Sequence, residues 1–93
     1  MPIKAIIIDD ERLARNELKK LLEQHPNIQI IDEASNVDEA VEKIDLSRPD
    51  LIFLDIQMPD LTGIQFLKIA SGKSNYILTT AYSQYALESY DYE

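Results

Sequence analysis

Apolar residues follow two rhythms along this 93-residue chain. Ile3 to Ile8 form a near-continuous β-branched run, which fits a strand buried on both faces, as in parallel sheets, better than one alternating between core and water. Ala14, Leu18, Leu21 and Leu22 then recur at helical spacing, with Arg15, Lys19, Lys20 and Glu23 turned away from them. That helix is expected to stop near His25-Pro26, because the residue before a proline disfavours α geometry. Residues 28 to 34, IQIIDEA, predict a second strand. Asn36 follows as an N-cap with Glu39 three residues on, resembling a capping box, and Val37, Ala40, Val41 and Ile44 line one helical face. Pro49-Asp50 breaks the chain before a third strand at Leu51 to Leu54. MPDLTG, 58 to 63, is turn chemistry, and Ile64, Phe66, Leu67, Ile69 and Ala70 are expected to form the buried side of a third helix ended by Ser71 to Ser74. NYILTTAY, 75 to 82, predicts a fourth strand, and Ser83 can cap a last helical segment through Glu88. Strands alternating with helices over short connections imply βαβ units with right-handed crossovers. The expected architecture is an open parallel-sheet α/β sandwich in one domain, residues 1 to 93.

Composition narrows the function. The chain has no apolar run long enough to span a bilayer, no secretory leader pattern and no cysteine, so a cytosolic protein without membrane contact is the expectation. Seventeen acids against nine bases give a formal charge of -8, which repels a phosphate backbone and argues against nucleic-acid binding by this segment. Metal ions and cationic partners are favoured instead.

The acids also occupy particular places. IKAIIIDDE runs an apolar strand into Asp9, Asp10 and Glu11, and LIFLDIQMPD runs another into Asp55. In an open parallel sheet, ligands sit outside the carboxyl ends of the strands, near the point where strand order reverses. With the first and third strands adjacent, Asp9, Asp10 and Asp55 meet in one pocket, and their repulsion is costly unless a divalent cation such as Mg2+ occupies it. Thr79-Thr80-Ala81 at the end of the fourth strand offers hydroxyls to an anion held there. Asp55 is then the candidate nucleophile, forming an acyl phosphate. A lone Asp after a strand is more often a cap or turn residue; the three together carry the argument. Asp32 and Glu33 are expected on an exposed edge, Asp60 in the turn before the third helix, and His25 as a solvated helix end. Tyr82, Tyr85, Tyr90 and Tyr92 suggest a packing face before a partner surface.

IIIDDE, LIFLDIQMPDLTGIQFL and TTAYSQYAL together resemble the receiver domain of bacterial two-component response regulators, and the ending TAYSQYALESYDYE is similar to the branch whose receivers precede a LytTR-type DNA-binding domain. The resemblance implies a flavodoxin-like receiver fold with strand order 2-1-3-4. It implies that Asp55 accepts a phosphoryl group from a phosphohistidine on a sensor histidine kinase, and that Asp9, Asp10, Asp55 and the backbone carbonyl of Gln57 hold Mg2+. It makes Thr80 the switch hydroxyl, and gives Met58-Pro59 and Gly63 the shaping of the loop after the acceptor. The domain would be a switch controlling an output, not a turnover enzyme.

Receivers of this family continue into a fifth strand and helix that bring a switch aromatic and a phosphoryl-contacting lysine; Lys4, Lys19, Lys20, Lys43, Lys68 and Lys73 do not fall at that place. The chain is therefore expected to be a receiver truncated before those elements, self-associating as a homodimer or by exchange of residues 80 to 92. The alternative is a protein-interaction module impaired in phosphorylation. A haloacid-dehalogenase-like phosphohydrolase would need an Asp two residues after its nucleophile, where this chain has Gln57.

Overall fold

The computed structural model describes residues 2–70, 72 and 74–79. Its elements are β1 (Ile3–Ile8), α1 (Arg12–Leu22), β2 (Ile28–Ala34), α2 (Val37–Ser47), β3 (Leu51–Asp55), α3 (Gly63–Ala70) and β4 (Asn75–Thr79). The four strands form a parallel sheet in the order β2-β1-β3-β4. Thr80, the tail of the expected fourth strand, the segment at Ser83 to Glu88 and the exchange of residues 80 to 92 all lie outside the described residues.

The strand sequences explain the layering. In β1 and β3, Ala5, Ile7 and Phe53 are buried against Leu18 and Leu22 of α1, while Ile6, Ile8, Ile52 and Leu54 are buried on the other face against α2 and α3. Both faces are covered, so the central strands are apolar from Ala5 to Ile8 and from Leu51 to Leu54, the signature of a parallel sheet. β2 departs from this regularity. Ala5 pairs with Ile30 but Ile6 pairs with Asp32, so Ile31 is an extra residue, a β-bulge, and it packs on the α2 side.

α2 begins as its sequence suggests. Asn36 Oδ1 accepts from the Glu39 N–H at 2.9 Å, and the Glu39 carboxylate reaches back to the Ser35 N–H at 3.2 Å, one residue beyond the cap N–H of a regular capping box. The helix ends on Arg48 in the left-handed region, with φ of 47°.

α3 corrects the sequence expectation. Ile69 is buried and Phe66 packs on the core, but Ile64 and Leu67 are 70% and 65% exposed. The eight-residue helix is apolar around most of its circumference, and residues 64 and 66 lie about 200° apart on it, so only one pair can face the sheet. A second correction concerns α1. Arg15 and the partly exposed Lys19 both fold over the outer strand β2 onto Glu33.

Candidate functional site

β1 and β3 leave the sheet side by side, with Ile8 opposite Leu54, and both chains turn by the same device. The carboxylate of Asp9 accepts from the Glu11 N–H at 2.9 Å, and that of Asp55 accepts from the Gln57 N–H at 3.0 Å. An aspartate bonded to the backbone two residues on is a local turn that competes with continued strand. Asp55 remains the last residue of β3, one further than expected, paired with Thr79 of β4. The Ile56 N–H donates to the Thr79 carbonyl at 3.0 Å and closes that side of the cleft.

Asp9, Asp10 and Asp55 can each present a carboxylate oxygen within 4.8 Å of the others. Asp10 is exposed, whereas Asp9 and Asp55 are 9% and 7% exposed. Burial is the main cause that pushes Asp9 up to about 6, and the charges of Asp55, Asp10 and Glu11 add to it against the bond from the Glu11 N–H. Thr79 is buried beside Asp55; Thr80, the expected switch hydroxyl, lies outside the described residues.

The loop after Asp55 is anchored at several points. Met58 is buried, its carbonyl accepts from the Leu61 N–H, and Thr62 Oγ1 accepts from the Gln65 N–H at the start of α3. Asp60 does more than serve its own turn. Its carboxylate accepts from the Val37 N–H at 2.9 Å, so one acid closes the loop onto the N-terminus of α2. Gly63 has no positive φ, and an added Cβ would meet nothing within 4 Å, so the loop shape does not depend on glycine there.

A second group of charges flanks the pocket over β2. Glu33 receives Arg15 Nε at 2.8 Å and also Lys19, which together hold its carboxyl below the usual range, the Lys19 hydrogen bond most of all. Lys43 pairs with Asp32 at 3.3 Å and donates to the Glu33 carbonyl at 2.5 Å. Arg15 Nη1 donates to the Asp9 carbonyl at 2.7 Å and joins the two groups. Local patterning cannot reveal the Asp60 and Arg15 contacts, since they join residues 23 and 18 apart whose helices must first dock. Asp32 and Glu33 do lie on an outer strand as expected, but half-buried beneath cations.

A parallel sheet of order 2-1-3-4 with acids converging at the carboxyl ends of β1 and β3 defines the flavodoxin-like class of receiver folds. Residues 5–92 match the family model of the response regulator receiver domain, and the chain belongs to that family. It is 44% identical over 92 residues to the sensory transduction protein LytT of Bacillus cereus, covering 96% of this chain and 37% of LytT. It is 43% identical over 91 residues to an uncharacterized response regulatory protein of Vibrio cholerae, covering 96% of this chain and 38% of that protein. The chain thus spans less than two fifths of these relatives. Among solved structures, the P1 domain of CheA3 in complex with CheY6 from R. sphaeroides contains a chain similar to this one. Its TM-score is 0.74 at 26% identity, covering 97% of this chain and 75% of that one. Among the described residues, no helix is long and apolar enough to cross a membrane.

Proposed function

We propose that Asp55 is the phosphoacceptor of this receiver and that Asp9, Asp10 and Asp55, with the Gln57 carbonyl, hold Mg2+. The observation that carries this reading is the convergence of three carboxylates within 4.8 Å where strand order reverses. Three hard oxygen donors with one open side suit an ion that keeps several of its waters. When bound, Mg2+ offsets the negative charge that otherwise keeps a carboxylate from approaching a phosphoryl group. An Asp55 oxygen attacks phosphorus of a phosphohistidine on a sensor histidine kinase. The O–P bond forms, the N–P bond breaks, and the imidazole leaves with the electron pair and takes up a proton. The bond from the Gln57 N–H fixes the other Asp55 oxygen and leaves one directed at the incoming group. Thr80 is the switch hydroxyl, next in sequence to Thr79, which pairs with Asp55.

The CheY6 complex with the CheA3 P1 domain supports a kinase domain as partner. The output proposed is transcription through a LytTR-type DNA-binding domain of a cytoplasmic regulator; similarity to the sensory transduction protein LytT supports signalling, and similarity to the transcriptional regulatory protein BtsR supports transcription as the output. Berylliofluoride with Mg2+, followed by amide NMR of the full chain, tests the site. Shifts centred on Asp55 and Thr80 that vanish in Asp55→Asn are expected; a folded protein whose spectrum ignores the ligand would instead identify an interaction module without phosphoryl control. Self-association is tested by sedimentation velocity, where a monomer at high micromolar concentration would refute it.

A further inference from the structure

Arg15 stands in a place that helix electrostatics does not favour. It lies in the opening turns of α1, whose first turn carries Arg12 and no acid, and the Glu11 side chain makes no cap bond there. A cation at that end opposes the helix dipole. Local rules broken at one point call for a compensating contact elsewhere, and Arg15 makes two. Its side chain is 14% exposed, and the guanidinium gives Nη1 to the Asp9 carbonyl at 2.7 Å and Nε to Glu33 at 2.8 Å. The Asp9 N–H donates to the Ala34 carbonyl at 3.0 Å. Both backbone groups of Asp9 are therefore tied to β2, one directly and one through the planar Arg15 fork.

We propose that Arg15 is a positioning residue for the acid pocket: braced by Glu33, it fixes the Asp9 backbone so that Asp9 and Asp10 stand at metal-holding distance from Asp55. This rests on the reading of those acids as a Mg2+ site. The geometry also separates position from charge. A cation acting only through its field would repel Mg2+, so its removal would tighten binding; a cation that aims Asp9 does the opposite. Glu33 and Lys19 complete the brace on the α1 side, whereas Lys43 holds Asp32 from α2 and does not touch Asp9.

Mg2+ titrations of the full chain at fixed ionic strength, read by the amide shifts of Asp9, Asp10 and Asp55, test this. Arg15→Met, which retains the apolar stem, is expected to weaken Mg2+ binding about tenfold, the range for residues that orient metal ligands. Arg15→Lys is expected to recover part of that loss, because one ammonium cannot reproduce the fork. Glu33→Gln weakens binding less than Arg15→Met, and Lys20→Met, which removes an exposed α1 cation outside the brace, leaves it unchanged. Should Arg15→Met fail to fold, Arg15→Lys and Glu33→Gln read the same effect. Unchanged Mg2+ affinity in the folded Arg15 and Glu33 variants would make the contact merely structural, and tighter binding would make it a charge effect; either overturns the proposal. Wild-type protein that binds no Mg2+ would overturn the metal site itself, and the proposal with it.

Discussion

Asp9, just past the end of β1, and Glu33, on the neighbouring strand β2, touch the same arginine and are shifted in opposite directions. Around Asp9 the neighbours are acids and the apolar ends of β1 and β3, so its carboxyl is pushed up to about 6, chiefly by burial. Around Glu33 the neighbours are Lys19 and Arg15, and its carboxyl is held down. Among the described residues, the carboxylates of Asp9, Asp10 and Asp55 make no ion pair, whereas Asp32 and Glu33 are both paired. Burial is one difference between them, since Asp9 and Asp55 are buried and Asp32 and Glu33 only partly so. The other difference is whether a helix delivers its cations to the acid: α1 and α2 extend theirs to the carboxylates of β2, and among the described residues none pairs with the carboxylates between β1 and β3.

Substitution at the two acids should break the symmetry. Asp9→Asn is expected to stabilise the metal-free protein by about 1–2 kcal/mol at pH 7, less than the full shift because the pocket opens to solvent and salt. Urea unfolding in chelator measures it. The sign follows from proton uptake. With a folded value of about 6 against 3.8, the folded state binds more protons across that window, so stability falls as pH rises through it, and Asp9→Asn should flatten that slope. A stability loss on Asp9→Asn would show that the acid is held by contacts worth more than its repulsion.

Mg2+ should then remove the contrast. At ten times its dissociation constant it should stabilise the wild type by about 1.4 kcal/mol and leave Asp9→Asn nearly unmoved, as read by thermal unfolding. Asp60 is a third acid, held by a helix N-terminus instead of a cation. Asp60→Ala is expected to cost about 1 kcal/mol in urea unfolding, the usual loss of a cap. Glu33→Gln is the smallest change, a loss of about 0.5 kcal/mol for a half-exposed pair. Its contribution is present above pH 4.5 and lost as pH falls through the depressed folded value, so the variant and wild type should converge in acid.

Much of this was legible along the chain. IQIIDEA forms the second strand at the bounds its pattern indicates, Asn36 caps α2, and the three acids meet because apolar runs of parallel strands end at the same edge. What escaped was information carried by neither spacing nor composition. Which apolar side of α3 wins depends on how Phe66 and Ile69 meet the sheet, and leaves Ile64 and Leu67 outside. Arg15 and Lys19 look like a solvated face until β2 supplies Glu33 beneath them. Asp60 finds its partner only once two loops from separate βα units lie side by side.

The bulge at Ile31 gives β2 a shift of phase. In strict alternation Asp32 would fall beside Ile7, on the α1 face, and Glu33 beside Ile8, on the α2 face. The slipped register instead sets Asp32 beside Ile6 and Glu33 beside Ile7, so each acid faces the helix whose cations hold it. Loss of Ile31 would keep that assignment and sacrifice only an apolar contact, whereas one residue inserted between Ile31 and Asp32 would exchange the two acids between helices. Support for Asp9 is thus encoded in the parity of a strand that contributes no residue to the carboxylate trio.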